Sequence, residues 1–191
     1  MRDYLYIWHN PGEQFIIASG IEFKDFEQFL SGRSGLMLIE HQSYVADHDS
    51  ESKFDFVSNT ELSELMNEDI YSWGNFTWVD YKTATFPMPT DTEVSELLFF
   101  SHKGRPLNGV CLPSLNNQFM AYIHDDGWYL ELYYSNWLTV ETLLNEAISP
   151  TIGKLNTSEL KHGNHGYWLQ NGEITVEEKT RDIDLILNRR S

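Results

Sequence analysis

An Asp-Gly pair at 126–127 separates two strand-like runs within residues 119–134, FMAYIHDDGWYLELYY. Asp-Gly between β-favouring segments signals a hairpin closed by a two-residue turn, because both turn residues need positive φ. That register sets Ile123 opposite Leu130, Ala121 opposite Leu132 and Phe119 opposite Tyr134. All six are apolar or aromatic and share one face. The other face receives Met120, Tyr122 and His124 across from Tyr133, Glu131 and Tyr129. A three-residue turn would set Ile123 against Tyr129 and mix the faces. Register follows from the face that must be buried, so the two-residue turn is favoured.

The sheet is expected to centre on this hairpin. Its less apolar face is the expected binding surface: Tyr122, Tyr129, Glu131 and Tyr133, with Asp125 and Asp126 at the turn. Tyrosine suits binding because it offers rigid area and a polar tip. The alternative is that a helix, such as the one around Val140, covers this face and leaves hydroxyls at the rim.

Along the rest of the chain, short strands are expected at Asp3–His9 and Phe15–Ala18, joined by the turn-forming Asn10-Pro11-Gly12-Glu13. Residues 23–31 place Phe23, Phe26, Phe29 and Leu30 on one helical stripe, ended by Gly32. Strands follow at Leu36–Glu40, Phe54–Val57 and Phe76–Tyr81. Ser58 and Glu61 have capping-box spacing ahead of a helix over 59–67, and Thr90 and Glu93 repeat it ahead of one over 91–101. Phe99 and Phe100 would also suit a strand there. Gly104 closes that helix. Val140, Leu143, Leu144, Ala147 and Ile148 keep helical spacing, with Thr139 able to cap and Pro150 to stop. Asn171-Gly172 marks a second hairpin, with Leu169 facing Ile174 and Tyr167 facing Val176. Residues 181–191 alternate as an edge strand would.

Hairpins and separate helices without β-α-β alternation predict an α+β fold. The expectation is a single domain over 1–191: a mostly antiparallel sheet built from hairpins, with three to four short helices packed on it.

Charge and cysteine usage bear on the setting. Lys and Arg number 13 against 29 Asp and Glu, a formal net charge of -16. Such a field repels nucleic acid and anionic membranes and attracts basic partners. Acidity also serves solubility alone. Cys111 is the one cysteine, so no disulfide forms within the chain, which fits a reducing, cytoplasmic setting. No apolar run approaches the length of a membrane span.

The chemistry-bearing motifs are sparse. The chain has no Gly-rich phosphate loop, no GxSxG and no HExxH. Cys111, between Val110 and Leu112, reads as a small buried hydrophobe rather than a reactive thiolate. His41 and His48, with Asp47 and Asp49, offer a nitrogen and oxygen ligand set, and His162 and His165 an HxxH pair. A solvated acidic loop and a glycine-rich polar loop explain the same residues. His124-Asp125-Asp126 reads as turn chemistry, since adjacent carboxylates on a strand end diverge.

Three functions remain open. The first is non-catalytic capture of a basic protein, in the style of the small acidic α+β proteins that neutralise bacterial toxins; no motif carries that likeness. The second is a metal-dependent hydrolase or transferase using those histidines. The third is a small-ligand or sugar-binding module with stacking aromatics. Binding without a cofactor is the expectation.

Overall fold

A computed structural model of the chain describes residues 4–26, 36–40, 53–58, 61, 76–81, 88–124, 129–152, 166–170 and 173–177. Among the described residues, nine strands join in one sheet: β1 (Tyr4–Asn10), β2 (Phe15–Ser19), β3 (Leu36–Glu40), β4 (Lys53–Val57), β5 (Phe76–Asp80), β6 (Phe119–His124), β7 (Tyr129–Tyr134), β8 (Gly166–Gln170) and β9 (Glu173–Glu177). Their spatial order is β4-β3-β5-β6-β7-β2-β1-β8-β9. Every neighbouring pair is antiparallel. The fold is α+β. Hairpins generate antiparallel pairs directly, so this topology follows from a chain punctuated by tight turns.

The β6–β7 hairpin lies at the middle of that order. It has the register expected from the two-residue turn: Ile123 faces Leu130, Ala121 faces Leu132, and Tyr122 faces Glu131. The turn itself, with Asp125 and Asp126, lies outside the described residues. The β8–β9 pairing likewise sets Leu169 against Ile174 and Tyr167 against Val176. Between β1 and β2, the Asn10 side-chain oxygen accepts from the Gly12 and Glu13 amides at 3.1 and 3.3 Å. Those bonds compensate backbone donors that a four-residue turn would leave to water.

Two α-helices are described, α1 (Asp91–Lys103) and α2 (Trp137–Ile152), with a 3-10 turn at Phe23–Phe26. The Thr90–Glu93 capping box is formed in full, and Gly104 ends α1 in the left-handed conformation with φ 65°. Helix rather than strand therefore holds Phe99 and Phe100. Ahead of the expected helix over 59–67, the Ser58 amide and hydroxyl donate to the Glu61 carboxylate at 3.1 and 2.6 Å. Residues 62–67 and 27–31, and the tail expected as an edge strand, lie outside the described residues.

Two expectations for α2 are corrected. Asn136, rather than Thr139, holds the capping position, accepting from the Leu138 amide at 3.0 Å. The Thr139 hydroxyl instead donates to the Gln118 side chain. The helix also runs through Pro150 to Ile152. A proline so close to the end removes one hydrogen bond but leaves room for a last turn.

Among the described residues, both faces of the central strands are buried, one with each helix. On the first face, Ile16, Trp78, Phe119, Ala121, Ile123, Leu130 and Leu132 pack with Val140, Leu143, Leu144 and Ala147 of α2. The 3-10 turn closes the same core: Phe23 and Phe26 lie 5.2 and 5.7 Å from the Trp78 ring, and Phe119 meets it edge-on at 5.0 Å. On the second face, Trp8, Phe15, Ile17, Val79, Met120 and Tyr133 pack with Leu97 and Phe100 of α1 and with Leu112 and Leu115 of the loop behind it. Each large side chain sealed this way contributes about 1.5–3 kcal/mol of transfer free energy. The helix expected over the tyrosine face is thus α1, while the helix around Val140 covers the aliphatic one.

Candidate functional site

The second face divides into an apolar half and a polar half. Pairing of β5, β6, β7 and β2 sets Val79, Met120, Tyr133 and Phe15 in one row. Leu97 and Phe100 of α1 belong to the same core as this row, and Phe100 meets the Tyr133 ring edge-on at 6.0 Å. The next row is Thr77, Tyr122, Glu131 and Ile17. Beyond it stand His124, Tyr129 and Ser19, at the end nearest the hairpin turn. Alternation along the strands puts all of them on the α1 side.

Glu131 and His124 form the centre of the polar half. His124 Nε2 lies 3.2 Å from Glu131 Oε1. Glu131 is 5% and His124 7% exposed, so the contact is shielded from water. They are not directly opposite: His124 faces Tyr129 and Glu131 faces Tyr122, which makes them a diagonal pair. The imidazole lies between two phenol rings. Tyr122 stacks on it at 5.0 Å with planes 20° apart, and Tyr129 at 5.5 Å with planes 24° apart. Tyr122 also lies under the end of α1, where a Cβ on Gly104 would come within 2.8 Å of its ring.

The expected binding residues separate accordingly. Tyr122 and Tyr129 are half-buried and come together around His124. Glu131, directly opposite Tyr122, joins them and is buried. Tyr133 belongs to the apolar core, where burial, reinforced by the charge of Glu13 and opposed by Arg105, pushes its phenol far above the ordinary range. The tyrosine face is therefore not an open surface; its turn end is an aromatic and acidic cluster. His124 was not among the expected binding residues. The hairpin register carried the signal, because a two-residue turn at 126–127 already makes His124 and Glu131 diagonal neighbours.

A second buried histidine lies under α2. His9 Nε2 is 2.6 Å from the Tyr134 hydroxyl, and its ring stacks on Trp137 at 4.6 Å. Burial raises the Tyr134 phenol to about 12, so it stays protonated and holds this link at neutral pH. His9 is fully buried and fixes the start of α2 against the sheet.

Behind α1, residues 104–117 are held to the helix by two carboxylates. Glu96 accepts from the Asn108 side chain and amide. Glu93 accepts from the Ser114 amide at 2.8 Å and from the Thr90 amide at 2.8 Å. Burial works against ionisation of Glu93, but these donors and the Thr90 hydroxyl outweigh it and lower the carboxyl to about 2. The same loop corrects the reading of Cys111, which is exposed. Asn117 accepts from the Leu112 amide and donates to the Val110 carbonyl, both at 2.7 Å. That turns Leu112 inward and leaves Cys111 facing out.

His41, His48, His162 and His165 lie outside the described residues. Among the described residues, no group of three or more His, Cys, Asp and Glu side chains could hold a metal ion. No described helix is long and apolar enough to cross a membrane. No protein-family model, no curated protein and no solved structure matches this chain.

Proposed function

We propose that this protein acts by capturing a basic protein partner, without catalysis, in the manner of an immunity-type inhibitor. The observation that carries the reading is the formal charge of -16 on 191 residues. A field of that sign speeds encounter with cationic surfaces and disfavours nucleic acid and anionic lipid. One further feature supports it. The polar groups of the central cluster contact one another: imidazole on carboxylate, ring on ring. The lone Cys111 suits a partner met in the cytoplasm.

The test is affinity capture at low and high salt, read by mass spectrometry. A basic protein should be enriched at low ionic strength and lost as salt rises toward about 1 M, where screening shortens to about 3 Å. Enrichment of nothing basic would end this reading. Stoichiometric metal in the purified chain, lost on joint His41→Ala and His162→Ala substitution, would put the metal-dependent hydrolase in its place. Shifts confined to Trp and Tyr signals on adding sugars would favour a sugar-binding module.

A further inference from the structure

We propose that Asn108-Gly109, in the loop behind α1, is a site of spontaneous deamidation, and that the carboxylate formed there parts the loop from Glu96. Three observations meet at this pair. Both residues are exposed, so water and base reach them. Gly109 has a φ of 155°, a conformation that side chains rarely adopt, and nothing lies within 4 Å of where its Cβ would stand. That open space leaves room for a succinimide ring to close. Among the described residues, no hydrogen bond holds the Gly109 amide, which leaves its nitrogen able to react. Glycine is also the residue that crowds an attacking nitrogen least, since it carries no side chain.

The Gly109 nitrogen gives up its proton to base and attacks Asn108 Cγ. A C–N bond forms there, and the bond from Cγ to the side-chain nitrogen breaks, that nitrogen leaving as ammonia. Water then adds to either carbonyl of the succinimide and opens it, giving aspartate or isoaspartate at position 108. One water is consumed, and nothing is oxidised or reduced. The product matters because of what Asn108 holds. Its side-chain nitrogen and its backbone amide both donate to the Glu96 carboxylate. Conversion removes the side-chain donor and sets a second carboxylate against the first, and like charges that close repel. Farther along the loop, Ser114 stays tied to Glu93, and Asn117 to Leu112 and Val110. Release is therefore confined to residues 105–109.

The test ages the whole folded chain in mildly alkaline buffer and reads its peptides by mass spectrometry. The peptide carrying Asn108 should become about 1 Da heavier, and Asn108→Gln should abolish the gain. Asn108→Asp stands in for the product. It should speed hydrogen exchange at the amides of residues 105–109 about tenfold, the loss of one hydrogen bond to a charged group. The Ser114 amide should stay protected, and circular dichroism should show each variant folded. In a Glu96→Ala background, Asn108→Asp should change exchange little, because the opposing carboxylate is gone. No mass gain at Asn108 in the folded chain would overturn the site. Unchanged exchange on Asn108→Asp, or the same rise with and without Glu96, would overturn the release.

Discussion

Gly104 and Glu93 show how much of α1 depends on single positions. Gly104 combines a φ of 65° with a ring 2.8 Å from where a Cβ would stand. Gly104→Ala should therefore cost at least about 1 kcal/mol from the left-handed conformation alone, with displacement of Tyr122 added. Urea unfolding measures the cost, and a change in tyrosine fluorescence would report the displaced ring. Glu93 is tested by pH. Its folded carboxyl lies at about 2, below the ordinary 4.5, so its contribution is present above pH 4.5 and is lost as pH falls toward 2. Glu93→Gln should cost about 1–2 kcal/mol at pH 7. The gap between variant and wild type should narrow steadily on acidification below 4.5; a gap independent of pH would contradict the assigned role. Half of this site was legible in the sequence. Thr90 and Glu93 stand three residues apart, a spacing that announces a capping box. The Ser114 amide that shares the carboxylate is 21 positions away, and no local pattern announces it.

At the scale of elements, the register of the central hairpin was readable because one local signal, Asp126-Gly127, decides it. The covering of its faces was not. α1 and α2 both carry an apolar stripe, and nothing in either stripe says which side of the sheet it will meet. Tyrosines on alternate positions of β6 and β7 imitated a solvent-facing side. The better indicator was in their neighbours. β2 reads FIIAS and β5 reads FTWVD, and both are buried along their whole length. Apolar residues at both parities mark a strand sealed on two sides. Phe100, fully buried, is the contact through which α1 seals the tyrosine side. Phe100→Ala should cost about 3–5 kcal/mol in urea unfolding, a large part of a typical domain's stability. A loss under about 1 kcal/mol would mean that α1 does not close this face.

For the molecule as a whole, the charge of -16 acts on stability and on association with opposite signs. Self-repulsion within the folded chain is relieved by salt, so the melting temperature should rise as sodium chloride is added. Attraction to a basic partner is screened by the same salt, so affinity should fall across the same range. Melting and binding titrations on one sample distinguish this from a specific ion effect, which would move both together. The charge was legible from composition; the layout of the sheet was legible only in its hairpins. Adjacent strands could be paired by their turns, whereas the neighbours β7–β2 and β1–β8 are joined by long stretches of chain and carry no local mark.

The strand order has a consequence for how the protein is made. β1 and β2 are synthesised before the other described strands, yet they stand between β7 and β8. The contact between His9 and Tyr134 joins positions 125 apart and forms only after β7 is made. Until β7 and β8 are made, the outer hydrogen-bonding edges of the β1–β2 hairpin are bare. Such distant closure makes assembly slow and late, so an early stop in translation would release a sticky fragment rather than a smaller working protein.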